Sequence, residues 1–338
     1  MKINHKQGKN MDKEFHRLLR DRGEITVRYD PETEAIWGYS NPSLRPCYNM
    51  ELLNEFRQLQ LDIIDYFKYC DMKPVTPIKY FVHASQIPGI YNYGGDLNLF
   101  SELIQKKDAD RLFEYAKVCI DIVYMNAVNL HLPITTIALV EGNALGGGFE
   151  GAISHSITIV EEQSQMGLPE IRFNLIPGMG AYSFLARSVG IKLAEEIIAS
   201  GKVYDAATLH EMGVITQVVK RGEGEKAVNQ YMKRNSRLFN GMQALQAARQ
   251  RYAPLDYEEL IDITKIWVDA ALRLEPKDLK MMKKLVDAQN QKNIDMNYKL
   301  RTKQDRRFEK GGSDFPYTDS DGNIVLHDRR SHKDPRSH

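Results

Sequence analysis

The hydrophobic and polar positions of this chain predict strands that alternate with helices over its first two thirds. Apolar residues alternate with polar ones over 25–29, turn residues occupy 30–33, and alternation resumes over 35–37, which predicts a β-hairpin. Short apolar runs predict further, buried strands at residues 78–82, 134–140 and 156–160. The pattern as a whole predicts an α/β fold with a mainly parallel sheet and right-handed crossovers.

Helical spacing of apolar residues separates these strands and then replaces them. Asn49 is the predicted N-cap of a helix that carries Leu52 and Phe56 on its apolar face, and a second helix shows the same spacing from Leu112 to Ala127. After about residue 222 the strand pattern stops. We therefore divide the chain into a flexible N-terminus, an α/β core, a helical region and a polar tail that we expect to be disordered, at residues 1–23, 24–222, 223–300 and 301–338.

Composition adds limits to this picture. A net charge of +1 gives no reason to expect a nucleic-acid partner. The longest apolar run, Ile134 to Val140, is far shorter than the ~20 residues of a membrane helix, so we expect no membrane span. Three widely spaced cysteines and the lack of a signal-peptide pattern predict a cytoplasmic protein, and no cofactor is expected.

The chemically informative stretch lies between two glutamates. Glu150 follows the glycines 146–148 at the start of a predicted helix, and Glu170 follows Pro169 in a predicted loop. Glycines at a helix start leave main-chain N–H groups free to hold a developing oxyanion. Two nearby carboxyl groups can then move protons at adjacent carbons, so the pattern indicates enolate chemistry.

Two other site types fit this sequence less well. Gly146, Gly148 and Gly151 match the spacing of a dinucleotide-binding loop, but the strand ends too early and the helix that follows is too short. His210 begins like a zinc-protease helix, yet Val214 stands where the second histidine is needed. We expect neither a nucleotide site nor a metal site.

Each glutamate has a simpler interpretation when taken alone. Glu150 is then a surface residue near a helix N-terminus, and Glu170 is a loop carboxylate. The apolar residues around both favour the functional interpretation, because such surroundings raise a carboxyl pKa toward neutrality.

The two glutamate segments resemble the crotonase (enoyl-CoA hydratase/isomerase) superfamily. Residues 142–150 are similar to its glycine-rich oxyanion segment, and residues 166–170 with 175–180 are similar to its second catalytic stretch. The resemblance extends over about 24–290. It implies a crotonase-like spiral of ββα units followed by a C-terminal helical region.

The resemblance also implies roles for particular residues. Gly147 and Gly95, the latter in a loop similar to the family's Gly/Ala-Asp motif, are the implied N–H donors to a thioester oxygen. Glu150 and Glu170 match the positions of the acid and base that hydratases use, and either can be the base. Trp267 and Leu285 are implied to line the acyl slot, although their helical spacing also suits ordinary core residues.

Within the superfamily, residues 37–42 and 86–97 are most similar to bacterial diffusible-signal-factor synthases. This implies dehydration of a 3-hydroxyacyl chain on acyl carrier protein, followed by thioester hydrolysis that frees a cis-2-unsaturated fatty acid for quorum sensing. It also implies a homotrimer or hexamer and contact with a sensor protein. An ordinary hydratase/isomerase acting on acyl-CoA and a non-catalytic binding scaffold are the alternatives.

Overall fold

A computed structural model describes residues 13, 15–20, 22–43, 45–70 and 78–287, and the backbone of 317–318 and 324–325. The chain divides into two compact units, residues 1–287 and 288–338. In the second unit, Tyr317–Thr318 (β11) pairs antiparallel with Ile324–Val325 (β12). The rest of the predicted tail, and residues 1–12 of the predicted flexible N-terminus, lie outside the described residues.

Six strands of the first unit form its larger sheet. They are β1 (Ile25–Asp30), β2 (Ala35–Ser40), β3 (Tyr80–Ser85), β5 (Thr135–Val140), β7 (Ile157–Glu161) and β10 (Gln217–Val219). The strand order is β1-β2-β3-β5-β7-β10; β1 and β2 are antiparallel and the other neighbours are parallel. The predicted hairpin and mainly parallel sheet are thus confirmed, with boundaries within one to three residues of those expected.

A second sheet consists of four very short strands. They are β4 (Ile90–Asn92), β6 (Asn143–Leu145), β8 (Gln165–Gly167) and β9 (Val203–Asp205), in that order, with β9 antiparallel. The sequence did not predict this sheet, and β4 lies in a stretch after the predicted strand 78–82 for which no element was predicted. Three residues are too few to show the period-two alternation by which strands are recognised.

Helices cover both sheets and form the end of the first unit. They are α1 (Met50–Cys70), α2 (Leu97–Lys106), α3 (Ala109–Ala127), α4 (Gly147–Ile153), α5 (Ala181–Val189), α6 (Ile191–Ser200), α7 (Ala206–Glu211), α8 (Gly224–Asn235), α9 (Phe239–Tyr252), α10 (Tyr257–Ala271) and α11 (276–287). The predicted N-cap is present, since Asn49 Oδ1 accepts from Leu52 N at 2.7 Å. Residues 223–287 hold helices and no strand, as expected.

Residues close to the N-terminus already pack against the rest of the first unit. Leu18 is fully buried, and Arg20 and Arg22 both pair with Asp62 of α1, whose side chain is 1% exposed. Leu18, Arg20 and Arg22 therefore belong to the packed unit. Among the described residues, no helix is both long enough and apolar enough to cross a membrane.

The second sheet determines where functional groups meet. Strands β4, β6 and β8 are parallel neighbours, so the segments that follow them leave from the same edge of the sheet. Those segments begin at Tyr93, Gly146 and Leu168. Each of these segments contains residues that were predicted from the sequence to be functional. The candidate site therefore lies at this edge of the sheet.

Candidate active site

The start of α4 leaves one main-chain N–H free at the edge of the second sheet. Gly146 adopts φ +54°, a conformation that favours glycine, and its carbonyl accepts from Phe149 N and Glu150 N at 2.9 and 3.1 Å. Because a trans peptide points its C=O and N–H in opposite directions, the Gly147 N–H points out of the helix start. In the described part of the chain this N–H has no protein acceptor.

Residues 93–96, here called the oxyanion loop, bring a second N–H to the same place. Gly94 has φ +92°, and a Cβ atom added there would lie 2.8 Å from Gly147 N. A Cβ added to Gly147 would lie 3.4 Å from Gly95 N. The Gly95 N–H also has no protein acceptor among the described residues. The two glycines selected from the sequence therefore lie side by side, each with a free donor.

Glu150 lies on α4 and is almost fully buried, with 1% of the residue exposed. Its Oε1 accepts from Met179 N at 2.7 Å and from Ala181 N at 2.9 Å. Burial raises the pKa of Glu150 to about 7, while the two N–H donors act in the opposite direction. A carboxyl group in this setting exchanges its proton near neutral pH.

Glu170 opens a short 3-10 helix, Glu170–Phe173, after β8. The residue is half-buried, but its Oε2 is enclosed and has no hydrogen-bond partner among the residues that the structure describes. Its Oε1 lies 2.6 Å from the position that a Cβ on Gly146 would occupy, next to the start of α4. Burial, and then the nearby Glu150, raise the pKa of Glu170 well above its ordinary value, which favours the protonated form.

The two residues predicted to line an acyl slot belong to the adjoining core. Trp267 of α10 is 3% exposed and meets the Phe100 ring edge-on at 5.2 Å between ring centroids. Phe100 in turn packs against Gly95, where an added Cβ would come within 2.6 Å of its ring. Leu285 of α11 is half-buried and packs on the same hydrophobic cluster as Trp267.

Some residues at the site were not selected from the sequence. Met179 supplies an N–H to Glu150, and its sulfur lies 2.5 Å from the position of an added Cβ on Gly147. Its segment, 175–180, belonged to the second motif, but no spacing rule indicates which N–H groups of a loop will face a carboxylate. Tyr115 bonds to the oxyanion loop from α3, where it has the periodicity of an ordinary core residue.

The arrangement combines two free N–H donors with two buried carboxyl groups. Paired main-chain donors stabilise negative charge that develops on a carbonyl oxygen. Carboxyl groups with raised pKa values can exchange protons with the neighbouring carbons at neutral pH. The two sheets and the site at the edge of the second sheet together define a crotonase-like α/β protein.

Comparison with known proteins supports this class and narrows it to a family. The model of the family "Enoyl-CoA hydratase/isomerase" matches residues 53–262, which is more than half of the 338 residues. The chain therefore belongs to the enoyl-CoA hydratase/isomerase family.

Individual relatives match over part of their length or at low identity. The mouse mitochondrial methylglutaconyl-CoA hydratase is 31% identical over 157 residues, covering 46% of this chain and 48% of the relative. The chain thus spans about half the length of the curated relatives it matches. The enoyl-CoA hydratase of Bacillus halodurans superposes with a TM-score of 0.64 at 17% identity, covering 77% of this chain and 99% of that one. DspI of Pseudomonas aeruginosa gives 0.53 at 25% identity, covering 72% and 89%.

Proposed function

We propose that this chain catalyses the reversible addition of water across the 2,3 double bond of a 2-enoyl-CoA thioester. The observation that carries the proposal is the meeting of Gly95, Gly147, Glu150 and Glu170 at one edge of the second sheet. Family membership supports the reaction class, and several of the matched relatives are named as CoA hydratases.

The thioester oxygen is placed between the Gly95 and Gly147 N–H groups. There it receives the negative charge that develops when C3 is attacked and the C2–C3 π electrons move toward the carbonyl. One donor of this type contributes roughly 3 kcal/mol to the transition state. The donors require no rearrangement, because neither is committed to another protein acceptor in the described chain.

The surroundings of the two glutamates suggest their roles in hydration. Glu150 receives two N–H bonds that favour its carboxylate, so we assign it as the base that takes a proton from water as the oxygen bonds to C3. The raised pKa of Glu170 favours its protonated form, so we assign it as the acid that donates a proton to C2. One turnover leaves Glu150 protonated and Glu170 ionised, and exchange with solvent restores both. Dehydration follows the same steps in reverse.

Purified protein tests the reaction directly. Incubation with a 2-enoyl-CoA is expected to yield the 3-hydroxyacyl-CoA, observed as the loss of enoyl-thioester absorbance and a mass gain of one water. A matched Glu150→Gln sample controls for contaminating hydratase. Product that forms equally in both samples would refute the proposal.

The diffusible-signal-factor synthase is a second candidate, favoured by residues 86–97. This segment resembles those synthases and connects β3 to α2 through β4. After dehydration, water activated by a glutamate would attack the thioester carbonyl, the same N–H pair would hold the tetrahedral oxyanion, and the thiol carrier would leave. Mass spectrometry of products from 3-hydroxyacyl-carrier protein separates the candidates. A free cis-2-unsaturated acid favours the synthase, and its absence favours the hydratase.

We further propose that Trp267 and Leu285 border the acyl slot. The support is position: Trp267 contacts Phe100 over the oxyanion loop, and a Cβ on Gly178 would meet its ring at 2.8 Å. Trp267→Leu is expected to change KM for ten-carbon substrates several-fold more than for four-carbon ones. Equal changes for both would make Trp267 a core residue only.

The predicted homotrimer or hexamer also remains a proposal. Its support is a row of exposed apolar side chains, seven residues apart, that begins just before α9 and continues along it. The row consists of Leu238, Leu245 and Tyr252, which are 59%, 63% and 91% exposed. Light scattering of the wild type and of Leu245→Glu tests it. A wild-type monomer would refute it, whereas dissociation of the variant alone would place the contact on α9. The predicted contact with a sensor protein depends on the synthase candidate, so evidence against the synthase is also evidence against this contact.

A further inference from the structure

The oxyanion loop is bound to a segment that precedes α1. Tyr93 N donates to Pro46 O at 2.7 Å, and Tyr48 N donates to Gly94 O at 2.7 Å. Residues 46–48 therefore run beside the loop as a short parallel bridge, which pairs Tyr48 with Gly95. These two hydrogen bonds restrain the conformation of the oxyanion loop.

One of these bonds fixes the direction of the catalytic donor. The peptide between Gly94 and Gly95 is planar and trans, so its C=O and its N–H point in opposite directions. Because Gly94 O faces Tyr48 N–H, the Gly95 N–H faces away from Tyr48. That direction leads toward Gly147, whose added Cβ would lie 3.4 Å from Gly95 N.

The next peptide is held by a side chain from α3. Asp96 N donates to the Tyr115 hydroxyl oxygen at 3.1 Å, and the same hydroxyl donates to Tyr48 O. Tyr115 is 3% exposed, and burial raises its pKa well above the ordinary value, so the phenol keeps the proton that it donates. The Tyr115 hydroxyl group thus links the Gly95–Asp96 peptide to Tyr48. Tyr48 in turn holds the Gly94–Gly95 peptide through its N–H group.

We propose that Tyr115 is a positioning residue that sets the direction of the Gly95 N–H through its hydroxyl group. The catalytic part of this proposal rests on the proposed function, because Tyr115 itself touches no reacting atom. Its structural part, the restraint of the oxyanion loop, does not depend on which thioester binds.

Tyr115→Phe removes this hydroxyl group and leaves the ring in contact with Phe100. The matched control is Tyr80→Phe, because Tyr80 is equally buried and its hydroxyl donates to the main-chain Met232 O, away from the site. Tyr115→Phe removes two hydrogen bonds of the hydroxyl group, and Tyr80→Phe removes one. Because each contributes about 1 kcal/mol, we expect an effect of about tenfold in Tyr115→Phe. We expect amide hydrogen exchange over 93–97 to accelerate about tenfold in Tyr115→Phe and to be unchanged in Tyr80→Phe.

Kinetic and spectroscopic measurements compare the same two variants, Tyr115→Phe and Tyr80→Phe. In Tyr115→Phe, kcat for hydration is expected to fall about tenfold with KM nearly unchanged, because the missing stabilisation belongs to the transition state. Difference infrared spectra of a bound thioester labelled with ¹³C at the carbonyl are expected to show a smaller downshift of the C=O stretch than in the wild type. Tyr80→Phe should match the wild type in both.

The outcomes separate this proposal from the proposed function. Wild-type protein without hydratase activity refutes the function, and the exchange data still decide whether Tyr115 restrains the loop. Active wild type together with unchanged exchange and kcat in Tyr115→Phe refutes the positioning role alone. If Tyr115→Phe does not fold, Arg45→Gln, which removes the ion pair on Asp96 of the same loop, is measured in the same ways.

Discussion

Glu150 and Glu170 are the same side chain in two different environments. Glu150 lies on α4 and Glu170 lies beside the start of α4, and burial raises both pKa values. They differ in hydrogen bonding, since Glu150 accepts from two main-chain N–H groups whereas Glu170 Oε2 has no partner in the described part of the chain. Burial alone therefore makes a carboxyl group weakly acidic, and fixed hydrogen-bond donors then decide which of two neighbouring carboxyl groups ionises first.

Removal of either carboxyl group should have the largest effect. Glu150→Gln and Glu170→Gln are each expected to lower kcat about a thousandfold, since general acid–base catalysis contributes 10²–10⁴ in typical enzymes. The double variant should lose little more than either single one, because the two groups act as a unit. Steady-state hydration rates measure this. Losses that multiply in the double variant would show that the glutamates act independently.

Movement of Glu170 without its removal should have a smaller effect. In Gly146→Ala the new Cβ meets Glu170 Oε1 at 2.6 Å in a φ +54° conformation, so we expect kcat to fall about a hundredfold. Gly213→Ala is the control: it has φ +80° and no atom within 4 Å of an added Cβ. It carries similar backbone strain without touching the site. If both variants lose equal activity at equal stability, the contact with Glu170 is unimportant.

The pH dependence of stability should show the smallest effect. A carboxyl group whose pKa is higher in the folded state binds more protons there, so its stabilisation is complete below pH 4.5 and is lost as pH rises. For Glu150, raised from 4.5 to about 7, the unfolding free energy should fall by about 2 kcal/mol between pH 5 and pH 7. Denaturant titrations of the wild type and Glu150→Gln measure it. An identical slope in both would place the proton uptake elsewhere.

The location of the site could be predicted from local sequence. Glycines 146–148 and the Pro169-Glu170 pair carry their information within a few residues, and the structure places Gly95, Gly147, Glu150 and Glu170 together. Helix α4 ends at Ile153, as its length suggested. The larger sheet was likewise predictable, because its central strands are short and mostly apolar. Strand β5 ends in four consecutive apolar residues, and three of the five residues of β7 are apolar.

The asymmetry between the glutamates could not be predicted in this way. It depends on Met179 and Ala181, which are 29 and 31 positions from Glu150 along the chain and meet it only after folding. The second sheet was missed because its strands are three residues long. Helix α2 was missed despite a usable signal, since Asp96 caps it and Phe100, Leu103 and Ile104 follow at helical spacing.

The arginines gathered on Asp62 have a practical consequence for anyone who shortens this protein. Arg17, Arg20 and Arg22 all reach this one enclosed carboxylate from the chain's opening segment. A version trimmed to start at Glu24, as the family resemblance alone would recommend, leaves the negative charge of Asp62 in the interior without its arginine partners. Trimming for crystallisation or display should therefore stop before Arg17.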